Sequence, residues 1–363
     1  MKRTRKPGAV LAASLLALAL FTSYVALDTF VIPRAYAKTS AEVQAEGTEA
    51  EDGEQDTETA TYTAEDTEAV NPSSLDGVTA VSAKTYTDSN TSITVTTCTW
   101  QDTTLYVADV TVSSADALKS ALADGTYGKN VTETTSDIAD EVNAILAVNG
   151  DFYGARDLGY VIRNGVLYRD SAASGQEDLV IYADGSFSVI SEDEVTAQEL
   201  LDAGAQQVLS FGPGLVENGE ISVTEDEEVG KAMASNPRTA IGILSDNHYV
   251  FVVADGRTSE SAGFSLYELA EFMQSLGCTT AYNLDGGGSS TMVFCGEVVN
   301  QPTTKAAPSK SGRSATSFMS DRRWFRWKKS MRNRKTTSRS TRTWNGEQKR
   351  RAMEESGRTG SLP

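Results

Sequence analysis

Three short apolar runs in this chain each end at an acidic residue beside glycine, and this pattern limits the folds that the chain can adopt. One run leads into NGD (149–151), another into DGR (255–257), and the third into DGGGSS (285–290). Runs of this length favour strands, and glycine allows the backbone to turn sharply after each of them. The chain is therefore predicted to fold around short strands whose ends carry acids and glycines.

The DGGGSS turn combines two features that a ligand site needs. Successive backbone N–H groups in a glycine turn form a concave site for anions, and Asp285 beside them is a candidate catalytic acid or base. Ligands commonly bind where strands end, so convergence of these acids with Arg238 and Arg257 would suit a phosphate group. The alternative is that each Asp-Gly pair is a simple turn in which the acid caps its own backbone.

Turn and helix signals elsewhere predict an α+β fold with a mixed β-sheet core, hairpins and a few packed helices in a single catalytic domain. Hairpin turns are predicted at three pairs with the turn preference of Asn-Gly and Asp-Gly: Asn164-Gly165, Asp184-Gly185 and Asn218-Gly219. Helices are predicted at four places: 114–122, 136–142, 196–203 and 265–276. The domain is predicted to cover residues 77–320.

The segments outside this domain differ from it in composition, and the net charge of −18 conceals that difference. Residues 1–37 run from basic to apolar to Ala-Tyr-Ala, the order of a secretory signal peptide, with an uncleaved membrane anchor as the alternative. Residues 38–76 are acidic, rich in Thr and Glu, and too poor in apolar residues to order, which predicts a disordered linker. Residues 321–363 are basic and predicted to be disordered, either as an arm for anionic polymers or as frameshifted sequence.

The cysteine and histidine content argues against several mechanisms. Three cysteines without a CxxC spacing argue against a disulfide framework or a structural zinc site, although a single Cys278–Cys295 bridge stays open. His248 is the only histidine and is predicted to be exposed, which argues against Ser-His-Asp and Cys-His catalysis and against a histidine-ligated metal. The sequence requires no cofactor, while binding of Ca²⁺ or Mg²⁺ by carboxylates stays open.

Six segments of the predicted domain, in the same order, resemble the phosphodiester glycosidase family. They are AVNGDFYG (147–154), GYVIRNGVL (159–167), SFGPGLVENGE (210–220), NPRTAIGI (236–243), VVADGRTSESAGFSLYELAEFMQSLGC (252–278) and YNLDGGGSSTMV (282–293). In that family a segment containing Gly/Arg-Ser leads into a strand that closes the domain. Here GRSA (312–315) begins this pattern, which is then lost, so the chain is predicted to lack the closing strand.

The resemblance implies an exported hydrolase, extracellular or at the cell surface, that cleaves sugar-1-phosphodiesters of the N-acetylglucosamine type in cell-envelope or exopolysaccharide glycans. The bond broken would join the anomeric carbon to a phosphodiester oxygen. Asp285 is the leading catalytic carboxylate, with Asp151 and Asp255 as partners, and Arg238 and Arg257 would hold the phosphate. Seven further residues would line the pocket: Asn149, Gly150, Gly286, Gly287, Gly288, Ser289 and Ser290.

Two other functions stay open at this stage, and both use the same pocket. One is a non-catalytic domain that binds envelope carbohydrate, and the other is a phosphodiesterase that cleaves the P–O bond. The expected partners are a glycan or sugar-phosphodiester substrate and, through the N-terminal segment, a membrane. No nucleic-acid partner is expected.

Overall fold

The computed structural model describes residues 7–38, 61–63, 75–227, 235–304, 307–308, 313–314 and 316–318. Four α-helices lie within these residues: α1 (Pro7–Phe30), α2 (Thr135–Glu141), α3 (Ala197–Asp202) and α4 (Leu266–Ser275). Among the helices described there, none combines the length and apolarity that crossing a membrane requires. The predicted basic tail at 321–363 and most of the predicted linker at 38–76 lie outside the described residues.

The other regular elements are strands, numbered in chain order. The first thirteen are β1 (Arg34–Lys38), β2 (Thr61–Thr63), β3 (Thr79–Thr87), β4 (Thr91–Trp100), β5 (Thr103–Val112), β6 (Ser120–Leu122), β7 (Thr126–Lys129), β8 (Glu133–Thr134), β9 (Leu146–Val148), β10 (Val161–Arg163), β11 (Val166–Arg169), β12 (Glu177–Tyr182) and β13 (Phe187–Ser191). The remaining strands are β14 (Ala205–Leu209), β15 (Gly214–Glu217), β16 (Glu220–Ile221), β17 (Arg238–Ser245), β18 (His248–Ala254), β19 (Thr280–Leu284), β20 (Met292–Phe294), β21 (Glu297–Val298), β22 (Thr303–Thr304), β23 (Ala307–Pro308), β24 (Arg313–Ser314) and β25 (Thr316–Phe318).

A nine-stranded antiparallel sheet forms the larger half of the domain, in the order β16-β15-β19-β17-β18-β5-β4-β3-β2. Helix α4 packs against it and begins with a capping box, in which Ser265 and Glu268 satisfy each other's backbone N–H groups. The ring of Trp100 lies 5.3 Å from Phe264 and 5.8 Å from Phe272, measured between centroids. The apolar face of α4 thus supplies one side of the main core.

A five-stranded antiparallel sheet, in the order β11-β10-β14-β12-β13, forms the second half and packs against α3. The Tyr282 hydroxyl joins the two sheets, because it accepts the N–H of Phe211 at 2.9 Å and donates to the Glu177 carbonyl at 2.7 Å. A three-stranded sheet, β21-β20-β9, lies at the point where the glycine turn returns from β19 to β20. Three separate sheets therefore meet around the predicted site.

The structure confirms the α+β class and the three hairpin turns, where Asn164 and Asn218 have φ of 51° and 52°. The helix predicted at 114–122 is wrong, because a 3₁₀ turn at Ala115–Ala117 leads instead into strand β6. That strand pairs with β25, so residues distant in sequence override the local helix signal.

Four other predictions need correction or comment. The closing strand is present, since β24 pairs with β8 and β25 pairs with β6. Thr61–Thr63 form a strand within the segment predicted as a disordered linker. Cys278 and Cys295 are buried free thiols. His248 is half-buried rather than exposed, with its Nε2 atom 3.0 Å from the Asp109 carboxylate.

Candidate active site

Three of the predicted residues lie at the ends of neighbouring strands in the nine-stranded sheet. Strands β18 and β19 both run to this end of the sheet, and the residues that follow them are Asp255 and Asp285. Strand β17 lies between them, runs in the opposite direction and begins at Arg238. The antiparallel order therefore places two acids and one arginine on neighbouring strand ends.

Strand β9 brings the NGD segment to the same strand ends. The Asp285 N–H donates to the Gly150 carbonyl at 3.1 Å, and Asn149 Nδ2 donates to the Asp285 carbonyl at 2.6 Å. Asn149 Oδ1 accepts from the Thr239 hydroxyl at 2.8 Å and from the Thr291 N–H at 3.0 Å. Through these hydrogen bonds, the fully buried Asn149 side chain fixes the backbone at both ends of the glycine turn.

The Asp285 carboxyl is the predicted catalytic group that the structure leaves half-buried rather than enclosed. Loss of hydration raises the pKa of Asp285 to about 6, and the negative charge of Asp151 adds to this rise. Hydrogen bonds from the Ser289 side chain and the Gly286 backbone act in the opposite direction, as does the positive charge of Arg156. A carboxyl with a pKa near 6 exchanges protons readily close to neutral pH, which suits acid–base chemistry.

The glycine turn packs directly against the segment that precedes β17. The Gly287 N–H donates to the Pro237 carbonyl at 2.8 Å, and Gly287 has a φ of 61°, which favours glycine. A Cβ atom at Gly286 would lie only 2.9 Å from the same carbonyl oxygen. Gly288 and Ser289 complete the 3₁₀ turn, and the hydroxyl of Ser290 is buried without a hydrogen-bond partner among the described residues.

The two predicted phosphate-binding arginines occupy different environments. Arg257 is exposed, and its Nη2 would lie 3.1 Å from a Cβ atom at Gly287, so its guanidinium borders the glycine turn. The Asn236 side chain holds it there, accepting from Nε at 3.1 Å and from Nη2 at 2.6 Å. Arg238 is buried, and its Nε donates to the Phe264 carbonyl at 2.9 Å. Its aliphatic stem passes behind Gly286, with Cδ 3.9 Å from the position of a Cβ atom there.

Asp151 lies in a buried ion pair. Arg163 Nη2 donates to both of its carboxylate oxygens at 2.7 Å, and the Ser210 N–H adds a third bond at 3.0 Å. The side chains of Asp151 and Arg163 are 0% and 1% exposed, so the pair is closed to solvent. Asp151 therefore affects Asp285 through its negative charge, while hydrogen-bond donors of the protein occupy its own carboxylate oxygens.

Asp255 is also enclosed by protein donors. It accepts hydrogen bonds from Asn300 Nδ2 at 3.0 Å, from the Gln301 N–H at 3.1 Å and from the Tyr106 hydroxyl. Burial raises the pKa of Asp255, and the bonds from Asn300, Gln301 and Tyr106 oppose that rise. Asn300 in turn donates to the Ser290 carbonyl at 3.0 Å, which connects Asp255 to the far end of the glycine turn.

Comparison with known proteins gives this arrangement a family. Residues 142–315 match the family model described as phosphodiester glycosidase, and this range includes every predicted site residue. The chain carries a phosphodiester glycosidase domain. The prophage-derived protein YomE of Bacillus subtilis is 31% identical over 230 residues, which cover 57% of this chain and 36% of that protein.

Two animal relatives agree with this assignment. The mouse N-acetylglucosamine-1-phosphodiester alpha-N-acetylglucosaminidase is 30% identical over 187 residues, which cover 47% of this chain and 35% of that enzyme. The zebrafish protein of that name, solved as a catalytic domain auto-inhibited by its pro-peptide, shares the fold with a TM-score of 0.50 and 20% identity. That match covers 80% of this chain and 88% of the solved one. The chain spans about a third of the length of the curated relatives it matches.

Three polar residues of the phosphodiester glycosidase domain were missed by the sequence analysis. Arg163 flanks a hairpin turn, and Asn300 follows a short terminal hairpin, so local sequence predicts only turns at these places. Arg156 lies just beyond the NGDFYG motif, separated from it by Ala155, and this was a usable signal, since that motif already marked a site. Within the described part of the chain, no three His, Cys, Asp or Glu side chains are grouped so as to hold a metal ion.

Proposed function

We propose that this chain hydrolyses the glycosidic bond of sugar-1-phosphodiesters, of the N-acetylglucosamine-1-phosphodiester type, in cell-envelope or exopolysaccharide glycans. The observation that carries the proposal is the position of Asp285. It is a half-buried carboxyl with a pKa of about 6, and the exposed guanidinium of Arg257 lies beside the same glycine turn. Asp151 and Asp255, in contrast, have their oxygens engaged by protein donors.

The proposed reaction needs a carboxylate near the anomeric carbon and a cation near the phosphate. Ionised Asp285 would either activate water or attack the anomeric carbon, and the C–O bond to the phosphodiester oxygen would break. The departing phosphate is a weak base, so it leaves without strong protonation. Arg257 would stabilise its negative charge through charge-assisted hydrogen bonds.

The buried residues would support this chemistry indirectly. Asn149 fixes the backbone of Asp285, and Asp255 acts through Asn300 on the backbone of Ser290. Asp151 contributes a negative charge that raises the pKa of Asp285, while Arg163 neutralises most of that charge at close range. We propose positioning roles for these groups and direct contact with the substrate for Asp285 and Arg257.

The test is hydrolysis of an N-acetylglucosamine-1-phosphodiester by the full chain in ¹⁸O-labelled water. Label on the sugar carbon supports the proposal, whereas label on the phosphate shows P–O cleavage and replaces the proposal by a phosphodiesterase. Asp285→Asn is expected to reduce turnover by about a thousandfold or more, as removal of a principal catalytic group does. Asp184→Asn is the matched control, since Asp184 is an exposed carboxylate in a distant hairpin. Saturable binding without turnover would favour a carbohydrate-binding domain.

The pH dependence follows from the raised pKa of Asp285. If Asp285 acts as a carboxylate, turnover is low below its folded pKa of about 6 and rises to a plateau above it. A rate that instead falls as pH rises through 6 would assign Asp285 the opposite role, that of a general acid.

We also propose that the chain is exported, on the strength of its basic, apolar and Ala-Tyr-Ala sequence order at 1–37. Cell fractionation with N-terminal sequencing of the recovered protein tests export and distinguishes cleavage after residue 37 from retention as an anchor. Recovery of the intact chain in the cytoplasm would contradict export.

A further inference from the structure

The positive charge of Arg156 acts on the Asp285 carboxyl, and the proposed reaction gives this arginine no role. It follows the 3₁₀ turn Tyr153–Ala155, so it belongs to the same segment as Asp151. Its carbonyl accepts from Arg169 Nη1 at 2.7 Å, and its N–H donates to the Tyr153 carbonyl at 3.2 Å. These bonds fix the backbone from which the side chain extends.

The guanidinium of Arg156 is held by two neighbours from other segments. Nη1 donates to Gln176 Oε1 at 2.7 Å, and Cζ lies 5.9 Å from the centre of the Phe211 ring. Phe211 is half-exposed, and the next residue, Gly212, donates its N–H to the Asn283 carbonyl, two residues before Asp285. The guanidinium of Arg156 therefore packs on Phe211, whose segment is hydrogen-bonded to strand β19 just before Asp285.

The hydrogen bonds of Arg156 and Arg257 leave different edges of the two guanidinium groups available. Arg257 uses both Nε and Nη2 on Asn236, which occupies one complete edge of its guanidinium. Arg156 uses only Nη1, and its Nε and Nη2 donate to no group among the described residues. The Nε–Nη2 edge is one of those through which arginine binds two oxygens of a phosphate at once.

We propose that Arg156 is the arginine that grips the phosphate of the substrate through its Nε–Nη2 edge, with Arg257 adding a single contact. The inference rests on the proposed function for the identity of the substrate. The charge of Arg156 acts on the Asp285 carboxyl, so a phosphate bound to this arginine would come within range of the same carboxyl, and the cation would offset the repulsion between the two anions. The positive charge of Arg156 also lowers the pKa of Asp285, which favours the ionised carboxylate.

Binding of inorganic phosphate to the full chain tests the proposal without any turnover. We expect Arg156→Gln to weaken phosphate binding about tenfold or more, measured by ³¹P NMR titration at pH 7, because a charge-assisted pair of hydrogen bonds is lost. Arg156→Lys should recover part of the affinity, since lysine restores the charge and lacks the planar fork. Lys129→Gln is the matched control, because it also removes one positive charge and Lys129 is already paired with Asp157 of the same segment.

Two further measurements separate phosphate binding from a merely structural role. In Arg156→Gln, the pKa of the Asp285 carboxyl, followed by ¹³C NMR, should rise, and KM for a sugar phosphodiester should change more than kcat. The proposal is overturned if the full chain binds no phosphate, or if Arg156→Gln binds it as the unaltered chain does. Equal weakening by Lys129→Gln would also overturn it.

The outcomes also distinguish this inference from the proposed function. Phosphate binding that depends on Arg156, without hydrolysis of any sugar phosphodiester, leaves the phosphate site in place and refutes the hydrolase. Hydrolysis with phosphate binding that is indifferent to Arg156 does the reverse.

Discussion

Replacing Asn149 by alanine tests whether the glycine turn depends on one buried amide. Besides a long contact of 3.5 Å to the Gly150 carbonyl, the Asn149 side chain makes three short hydrogen bonds, with the Asp285 carbonyl, the Thr291 N–H and the Thr239 hydroxyl. Its partners lie on three different elements, and the amide has no exposed surface at which water could replace it. The substitution therefore removes the side-chain bonds that join this segment to β17 and to both ends of the turn, while the backbone hydrogen bonds Asp285–Gly150 and Asn149–Thr291 remain.

The expected cost follows from those three bonds. A neutral buried hydrogen bond contributes about 1 kcal/mol, and a buried group left without its partner costs about 1–3 kcal/mol. Asn149→Ala should therefore lower the free energy of unfolding by about 3–5 kcal/mol. Thr239→Val removes only one of the three bonds at similar volume, so it should cost about 1 kcal/mol. A domain in the middle of the ordinary stability range, about 10 kcal/mol, stays folded after either change.

Urea denaturation followed by circular dichroism gives both free energies on the full chain. Amide hydrogen exchange then reports whether opening is faster at 285–291 than in strands β4 and β5, as the loss of a local tie requires. A cost for Asn149→Ala no larger than that for Thr239→Val would refute the reasoning, as would unchanged exchange at the turn.

Two other predictions concern stability and the turn. Asp178 is fully buried beside Glu192, and burial and that neighbouring charge raise its pKa well above the usual value. A raised acid pKa weakens the fold as pH rises above the unfolded value of about 3.9, by about 1.4 kcal/mol per pH unit up to the folded pKa. Asp178→Asn should therefore stabilise the chain at pH 7 and not near pH 4, and equal effects at both pH values would contradict this. Gly286→Ala should abolish turnover and cost about 1–3 kcal/mol, because its Cβ would meet the Pro237 carbonyl at 2.9 Å. Gly219→Ala meets open space, although its left-handed φ of 81° will cost some stability, and it should leave turnover intact. Activity in both variants would show that the contact at Gly286 is tolerated.

The sequence was sufficient to predict that the acid- and glycine-bearing strand ends would lie close together. Apolar runs ending in acid and glycine predicted strand ends, and the structure brings Asp285 to the NGD segment through the Asp285–Gly150 hydrogen bond. This succeeded because an apolar run and the glycine that ends it are both local features, and a strand end is fixed by its own residues.

The different environments of the three acids could be seen only in the structure. Nothing in the residues around Asp151 or Asp255 indicates that Arg163 and Asn300 would enclose their oxygens. These partners arrive from other strands, and side-chain pairing across elements leaves no periodic signal in the sequence. The same limitation explains the wrong helix at 114–122, where pairing with β25 decides the local structure.

The pairing of β25 with β6 also has a consequence for the order in which the domain can be made. The first partner lies at Ser120–Leu122 and the second at Thr316–Phe318, so this contact spans most of the length of the domain. During synthesis, β25 cannot pair with β6 until residue 318 has left the ribosome. Pairings between residues so far apart in sequence are slow to form. Translocation in an unfolded state is compatible with this topology, because β25 and β6 cannot pair at an early stage of synthesis. The pairing of β25 with β6 can therefore form only after synthesis of the domain is complete.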